Sequence, residues 1–182
     1  MALLETPITD LKKKNLIAPN FQLLGTDNKL YSPHDFKKTN AILIMFICNH
    51  CPYVLSIIDD LTRQLKQLQD NYKFKTLAIC SNDSNEYPED SFENMQIFAT
   101  KHNFCFPYLH DPEQKVAKSY QAVCTPDFFL FDKRLTLKYR GRFQATDTKE
   151  NELFNAISLI SSNKEINFKQ YPSMGCSIKW AK

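Results

Sequence analysis

Glycine is scarce in this sequence, and long apolar runs are missing. Only three of the 182 residues are glycine, so each one marks a place where the backbone needs unusual freedom or a close approach. No apolar segment is long enough to cross a bilayer, and the start MALLETPITDLKKK has no basic region followed by an apolar core. We therefore expect a cytoplasmic protein that does not enter a membrane.

A strong excess of charge is also missing. The formal net charge of +3 is too small to indicate nucleic acid or a membrane surface as a partner. The length favours one domain, and we find no repeat, linker or break in composition. We expect a poorly ordered leader at 1–15 and a single domain at 16–182. Six cysteines in a cytoplasmic chain do not form a framework of stable disulfides, so any that react do so transiently.

The chain is organised around residues 41–55, which read AILIMFICNHCPYVL. The apolar run 42–47 predicts a central strand that is covered on both faces. It stops at Cys48-Asn49-His50-Cys51-Pro52, and Pro52 suits the first turn of a helix. The apolar residues that follow recur at helical spacing, and they are Val54, Ile58, Leu61, Leu65 and Leu68. The predicted order is strand, cysteine pair, helix.

Two cysteines at such a junction can do chemistry that one cannot. The thiolate is the reactive form, and the free amides at a helix N-terminus lower the pKa of a nearby thiol. His50 adds positive charge there when it is protonated. With two residues between them, Cys48 and Cys51 can attack a disulfide and then resolve the mixed disulfide in turn. The alternatives are a structural zinc knuckle, which normally needs a second ligand pair, and two buried core thiols.

The rest of the sequence alternates strands and helices. An N-terminal hairpin is expected between 18 and 31, a short helix through Phe36, and a second buried strand at 74–80 with a polar loop after it. The other predicted elements are a helix capped by Asp90 or Ser91, an extended piece at 106–109 in which Pro107 favours an edge or a loop, a helix at 114–120, a strand at 122–132, a hairpin partner at 135–140, a helix at 152–161 and an ordered tail at 163–182. This order predicts an α/β protein with a mixed sheet of the thioredoxin-like kind.

Several segments resemble those of a known family. They are FICNHCPYV, SNDSNEYPEDSFENM, FPYLHDPEQKVAKSY, CTPDFFLFD, YRGRF and the tail PSMGCSIKW. Together they resemble a bacterial branch of the thioredoxin superfamily, the thioredoxin family or AhpC/TSA-type peroxiredoxin-like proteins, over about 19–180. The resemblance implies a thioredoxin fold with an extra N-terminal hairpin, Cys48 and Cys51 as the redox pair, and Pro126 as a cis-proline facing them. It names no substrate.

The residues themselves support the cis-proline less strongly. X-Pro bonds are cis in a minority of cases, and Thr125-Pro126 could equally begin a strand in trans. If the bond is cis, the backbone of Thr125 would be free to pair with an extended segment of a substrate polypeptide. Cys124 would then lie near the pair as a possible third thiol, or else act as a small buried hydrophobe.

The remaining cysteines divide into two groups. Cys80 and Cys105 are predicted to be core residues. Cys176 follows Gly175 in a tail without periodicity, so it is either a resolving or exchanging thiol or an ordinary packed side chain.

The first functional hypothesis is a thiol-disulfide oxidoreductase. Cys48 is the nucleophile, as the first of the pair and the one expected to be exposed at the turn, and Cys51 resolves. Pro126 shapes the substrate face, and His50 tunes the potential, with Asn49, Pro52 and Thr125 in support. Its partners would be a disulfide-bearing protein or a small-molecule thiol substrate, together with a cellular reductant. No cofactor is required.

A second hypothesis is a thiol peroxidase with Cys51 as the peroxidatic cysteine. Peroxiredoxins have Thr-x-x-Cys-Pro at this junction, and this chain has Cys48 where the threonine would be and Ile44 where a proline would be. The family's arginine beside the peroxide is replaced by Thr125-Pro126. Arg140 and Arg142 are interpreted as surface charges. Because the hydroxyl and the arginine activate peroxide, the sequence favours the oxidoreductase, although Cys48 could capture a sulfenic acid on Cys51.

The third hypothesis is a metal-binding or redox-silent interaction module. Cys48, Cys51, His50 and Cys176 offer ligands suited to zinc or copper(I). The ring of His50 lies within the turn and is not expected to converge on the same metal, so no metal site is predicted.

Overall fold

The computed structural model describes residues 3–7, 16–36, 38–145 and 150–182. The strands are β1 (Leu3–Glu5), β2 (Leu23–Gly25), β3 (Leu30–Tyr31), β4 (Ala41–Phe46), β5 (Phe74–Cys80), β6 (Tyr108–His110), β7 (Cys124–Thr125), β8 (Asp127–Asp132), β9 (Leu137–Gly141) and β10 (Met174–Ser177). The helices are α1 (Pro52–Leu55), α2 (Ile58–Asn71), α3 (Phe92–Lys101), α4 (Lys115–Tyr120) and α5 (Glu152–Ser161), with 3-10 turns at Pro33–Phe36 and Pro88–Asp90. No helix in these described ranges is long and apolar enough to span a membrane.

The main sheet has the order β3-β2-β6-β5-β4-β8-β9. Strand β4 runs parallel to β5 and antiparallel to β8, so the sheet is mixed, as the sequence predicts. The predicted N-terminal hairpin is confirmed as β2 and β3, which pair antiparallel and extend the sheet beyond β6. Asn28 adopts a positive φ of 63° in the turn between them, a conformation that asparagine tolerates better than most residues.

Strand β4 is the centre of the core. Each of its six residues is at most 1% exposed, and alternate side chains point to opposite faces of the sheet. Leu43 and Met45 join a cluster with the apolar faces of α2 and α5, while Ile42 and Phe46 join a second cluster that includes residues of α4. Burying each such side chain contributes about 1.5–3 kcal/mol. Packing on both faces therefore holds the end of β4, where the cysteine pair begins.

The helix after the pair is interrupted, whereas the periodicity predicts one continuous helix. The hydroxyl of Ser56 donates to the carbonyl of Tyr53 at 3.0 Å, and Ile57 N–H bonds to Val54 at 3.1 Å in a tighter turn. Local bonds of this kind compete with the regular helical ladder. As a result α1 has only four residues before α2 begins.

The prediction that Pro107 marks an edge or a loop is confirmed for the loop alternative, because Pro107 lies outside β6. β6 lies inside the sheet, between β5 and β2. Pro107 comes just before the strand, where its carbonyl accepts from Ala78 N–H at 3.0 Å. A proline at this point contributes its acceptor and gives up no ladder donor.

A second, three-stranded sheet has the order β1-β10-β7. The tail is ordered, as predicted, because β10 pairs on both sides. Part of the segment predicted as a poorly ordered leader is instead β1, and Thr6 N–H continues the pairing by donating to Ser173 at 3.0 Å. The open edge of β10 provides the backbone partners that order this segment. Residues 1–2 and 8–15 lie outside the described residues.

Candidate active site

The cysteine pair lies at the strand-to-helix junction that the sequence predicts. Cys48 comes shortly after β4, Cys51 caps the N-terminus of α1, and Pro52 is the first residue of that helix. Proline fits there because an N–H in the first turn would have no partner in the helix.

Both cysteines are buried, which differs from the expectation that Cys48 is exposed at the turn. Cys48 is 1% exposed and Cys51 is 0% exposed. Asn49 and His50 between them are only partly buried. Exposure therefore does not distinguish the two sulfurs, and their roles depend on their contacts.

Thr125 faces both sulfurs. The Thr125-Pro126 peptide bond is cis. The Thr125 hydroxyl lies 3.3 Å from Cys48 Sγ, and Cys51 Sγ donates to the Thr125 carbonyl oxygen at 3.1 Å. All six cysteines are free thiols.

The two thiols share a hydrogen bond, which separates their acidities. Donation from Cys48 lowers the pKa of Cys51 to about 4, assisted by the Thr125 hydroxyl and by the backbone N–H groups of Cys176 and Val54. The same bond, followed by burial and the negative charge of Asp90, raises the pKa of Cys48 well above its usual value. The Thr125 carbonyl opposes ionisation of Cys51, but the donors outweigh it. When the pair loses one proton, the charge therefore lies on Cys51.

Asp90 organises the turn, and the sequence interpretation missed it as a site residue. Its fully buried carboxylate accepts from Asn49 N–H and from the side chain of Asn82, each at 2.7 Å. The carboxylate has a third partner in His50, whose Nδ1 lies 2.8 Å from Asp90 Oδ2. The adjacent Asp90 carboxylate raises the pKa of His50. The helix cap expected at Asp90 or Ser91 is Ser91, which accepts from Asn94 N–H at 3.4 Å.

The imidazole of His50 and the amide of Asn49 have further partners. The His50 ring stacks on Tyr87 with centroids 5.5 Å apart, and the Tyr108 hydroxyl donates to Asn49 Oδ1 at 3.0 Å. These contacts fix the two residues between the sulfurs. The one sequence signal for this network is the polar loop after β5, which is predicted to lie near the functional face.

The other cysteines are distributed around the pair. Cys80 is fully buried in the core, and Cys105 is partly buried. Cys124 is fully buried, with its thiol 3.7 Å from the Pro126 carbonyl, and burial raises its pKa. The Cys176 thiol forms a hydrogen bond with Cys51. Burial, and to a smaller extent this hydrogen bond, raises the pKa of Cys176 to about 11.

The backbone of Thr125 is not free to pair with a substrate, in contrast to the sequence expectation. Strand β10 pairs antiparallel with β7, and Cys176 lies opposite Thr125 in the register. The tail has no periodicity, which is why its pairing could not be read from the sequence.

Arg140 and Arg142 are not simple surface charges, which corrects the sequence interpretation. The side chain of Arg140 is 2% exposed, 3.1 Å from Asp127, and it also donates to the Gln121 carbonyl at 2.7 Å. Arg142 is partly buried and pairs with Glu152 at 2.7 Å. Both arginines therefore have structural ion pairs.

Cys48, His50 and Asp90 bring potential metal ligands together. Their ligand atoms lie within 4.8 Å of one another, and this cluster contains Asp90 but neither Cys51 nor Cys176, which the sequence offered as possible ligands. However, Asp90 already accepts from Asn49 and Asn82. This arrangement suits a hydrogen-bonding network, and metal analysis of the purified, reduced protein tests the alternative directly.

An apolar groove of about 440 Å³ lies beside Pro126. Its lining includes Tyr53, Ile57, Pro126, Phe128, Phe143 and Met174. Tyr53 and Met174 are 44% and 46% exposed, so the groove opens to solvent. It can hold apolar groups next to Pro126, which follows Thr125 in the chain.

We expect Asp90→Asn to lower the pKa of His50, because the carboxylate that stabilises the imidazolium is lost. The pKa of Cys48 should fall as well, because the charge of Asp90 raises it. An NMR titration of His50 and the pH dependence of iodoacetamide alkylation would measure both shifts. Since the pKa of His50 is higher in the folded chain, the ion pair stabilises the fold below the unfolded pKa, and this contribution is lost as pH rises through the folded pKa.

Glu89→Gln is the matched control, because it removes an exposed carboxylate from the same 3-10 turn. The charge of Glu89 has a smaller effect on His50 than Asp90 has. An equal shift in the two variants would contradict the assigned role of Asp90.

The fold and the site together define a class. A mixed sheet flanked by helices, with a cysteine pair after its central strand and with Thr125, which precedes cis-Pro126, in contact with both sulfurs, is a thioredoxin-like protein. Residues 15–140 match the AhpC/TSA family, and the chain belongs to that family. Membership supports a thioredoxin-type redox function.

Solved structures agree with this assignment. An uncharacterised conserved protein from Geobacillus kaustophilus is 38% identical, with a TM-score of 0.90 over 100% of this chain and 97% of its own. A hypothetical protein from Sinorhizobium meliloti 1021 is 34% identical, with a TM-score of 0.86 over 92% and 94%. The thioredoxin domain of a thiol-disulfide oxidoreductase from Bacteroides vulgatus is 15% identical, with a TM-score of 0.65 over 81% and 96%, and supports the fold alone. A search of curated proteins gives no significant match.

Proposed function

We propose that this protein is a thiol-disulfide oxidoreductase in which Cys48 and Cys51 alternate between the dithiol and the disulfide. The convergence of both sulfurs on Thr125 carries this proposal, with the Thr125 hydroxyl 3.3 Å from Cys48 Sγ and the Thr125 carbonyl accepting from Cys51 Sγ at 3.1 Å. Two sulfurs that contact the same residue need little movement to form a bond. The polarised pair also holds one readily lost proton, and a thiolate is what disulfide exchange requires.

Cys48 is the attacking sulfur and Cys51 the resolving sulfur in this proposal. Cys51 is enclosed by Cys48, by the Thr125 carbonyl and by the backbone N–H groups of Val54 and Cys176. A substrate disulfide would have to displace these groups to reach it. Cys48 heads the turn, next to the partly exposed Asn49. The Cys51 thiolate is placed to accept the proton of Cys48 as that sulfur attacks.

The proposed cycle conserves atoms and electrons. Cys48 bonds to one sulfur of the substrate disulfide, its proton passes to Cys51, and the other substrate sulfur leaves as a thiolate. Cys51 then loses the proton to that leaving group and attacks Cys48, which releases the second substrate sulfur as a thiolate. The substrate is reduced to one thiol and one thiolate, which takes a proton from water, and the pair is oxidised to a disulfide. A cellular dithiol reductant restores the pair.

The substrate class follows from the surroundings of the pair. The apolar groove beside Pro126 can accommodate apolar groups of a disulfide-bearing protein or of a small-molecule disulfide. The cytoplasmic location expected from the sequence favours reduction over oxidation as the direction of flow.

A glutathione redox titration of the purified protein tests the proposal. After acid quenching and alkylation, trypsin leaves Cys48 and Cys51 together in the peptide 39–63. We expect a reversible disulfide within that peptide, and its midpoint gives the potential that decides the direction of electron flow. A pair that remains reduced at every glutathione ratio would contradict the proposal.

A thiol peroxidase with Cys51 as the peroxidatic cysteine is the second candidate. Two observations favour it, since the pKa of Cys51 is lowered to about 4 and the Thr125 hydroxyl supplies a donor that the turn itself lacks. Arg140 is buried against Asp127 and is not assigned to peroxide activation. Hydrogen peroxide consumption with a thiol reductant separates the candidates, because only a peroxidase turns over peroxide catalytically at low micromolar concentrations.

A further inference from the structure

The C-terminal strand β10 covers the redox pair from the side of Thr125. Cys176 lies opposite Thr125, Ser177 lies opposite Cys124, and Ile178 N–H donates to the Val123 carbonyl at 3.0 Å. The contact is tight at Gly175, where an added Cβ would be 2.0 Å from the Thr125 carbonyl oxygen. Only glycine allows the two backbones to approach this closely.

This pairing places Cys176 against Cys51. Cys51 Sγ donates to the Thr125 carbonyl at 3.1 Å, and Cys176 lies opposite Thr125 in the register, so Cys51 and Cys176 meet at Thr125. Hydrogen bonds from the backbone N–H and the thiol of Cys176 to Cys51 agree with this placement. Cys51 also shares a hydrogen bond with Cys48. Cys51 is therefore the central sulfur of three, with one potential disulfide partner in the turn and another in β10. Cys176 is 3% exposed, so an external thiol has little access to it.

The backbone edge of Thr125 is the place where an extended polypeptide could pair beside the sulfurs. In this protein its own β10 occupies that edge, with a cysteine at the position nearest to the pair. The geometry is that of a polypeptide thiol already docked at the site.

We propose that Cys176 is a third redox thiol, which exchanges with the Cys48–Cys51 disulfide to form a Cys51–Cys176 disulfide. This inference rests on the proposed function of the pair. The Cys176 thiolate attacks Cys51 Sγ, the bond between Cys48 and Cys51 breaks, and Cys48 leaves as a thiolate that takes up the proton released by Cys176. One disulfide replaces another, so no further oxidant is needed. After the exchange Cys48 is a free thiol again, and the disulfide lies between Cys51 and Cys176 of β10.

The decisive variant is Cys48→Ser, titrated as the full-length protein in the glutathione buffers used for the wild type. The incubation is long enough to reach equilibrium, so that glutathione disulfide forms a mixed disulfide with Cys51 slowly although Cys48, the faster nucleophile, is absent, and attack by Cys176 then releases glutathione and leaves no lasting adduct. Trypsin separates the relevant thiols, because Cys51 lies in peptide 39–63, Cys176 in 170–179 and Cys124 in 119–133. We expect the 39–63 and 170–179 peptides to be linked at least tenfold more often than 39–63 and 119–133.

Three results would overturn the inference. They are Cys51 held as a glutathione adduct with Cys176 still free, a link from Cys51 to Cys124 in place of Cys176, and a Cys51 that stays reduced in the variant. Failure of the proposed function looks different, because it appears in the wild type as the lack of a disulfide within 39–63.

Two further proteins guard against misfolding of the variant. Wild-type protein at intermediate glutathione ratios should contain a minor fraction of the link between 39–63 and 170–179. Cys176→Ser should remove that fraction and still form the disulfide within 39–63. If the wild type never shows the link, the inference is refuted whether or not the Cys48→Ser protein folds.

Discussion

Cys51→Ser should trap a mixed disulfide between Cys48 and a disulfide substrate, whereas Cys48→Ser should form no such adduct. Without Cys51 the attacking sulfur has no resolving partner, so the adduct persists. Without Cys48 the turnover of a test peptide disulfide should fall by about 10³-fold or more, as expected on loss of a nucleophile. Intact mass spectrometry after alkylation identifies the adduct, and stopped-flow reduction of the peptide gives the rate.

Cys105→Ser is the control for these two variants. Cys105 is partly buried, and its thiol contacts the Thr62 carbonyl at 3.8 Å in α2, away from the pair. Its rate should match the wild type. An adduct that accumulates in Cys48→Ser and not in Cys51→Ser would reverse the two roles, and would agree with the lowered pKa of Cys51 as the sign of the attacking sulfur.

Arg140→Met should give the largest loss of stability, about 3–5 kcal/mol, because it leaves a buried carboxylate without its partner. Arg140 pairs with the fully buried Asp127 at 3.1 Å, and its guanidinium lies 4.5 Å from the centroid of the Phe129 ring. Asp127 begins β8 immediately after cis-Pro126, so the pair also anchors the strand that carries the proline. Urea unfolding followed by circular dichroism measures the change.

The loss should depend on pH in a defined direction. Burial raises the pKa of Asp127 to about 7, and Arg140 opposes that rise. Without Arg140 the folded-state pKa of Asp127 rises further above its unfolded value. Stability is then lost as pH rises through the interval between the two values, so the deficit should be smaller near about pH 5 than near about pH 8.

Arg142→Met provides the matched comparison. Arg142 pairs with Glu152 through two nitrogens but is 24% exposed, so water compensates part of the lost contact. We expect a cost of about 1 kcal/mol. Equal losses at the two positions would show that burial of the Arg140 pair carries no special cost.

The sequence predicts the centre of this protein well and its periphery less well. The run before Cys48 and the period after Pro52 are local patterns, and both depend on neighbours in the chain. They locate β4, the cysteine pair and the helices that follow. The hairpin of β2 and β3 is equally local, because turn residues between short apolar stretches identify it.

The features that could not be predicted depend on distant residues. Asp90 reaches Asn49 and His50 because the loop after β5 brings the 3-10 turn at Pro88–Asp90 against the cysteine turn. Arg140 is buried because β9 packs beside β8, and its charge alone suggested the surface. The pairing of Cys176 with Thr125 joins the tail to β7, and no periodicity in the tail indicates it.

The position of β4 has a consequence for synthesis of the chain. Its six residues, AILIMF, carry no charge, proline or glycine, which is the composition of segments that self-associate as strands. One neighbour, β5, is translated soon afterwards, but the other, β8, leaves the ribosome only after α3, β6 and α4 have been made. Until then one edge of β4 remains open. The strand that positions the cysteine pair is thus a segment that needs protection from other nascent chains, and its vulnerability ends when Asp127–Asp132 closes that edge.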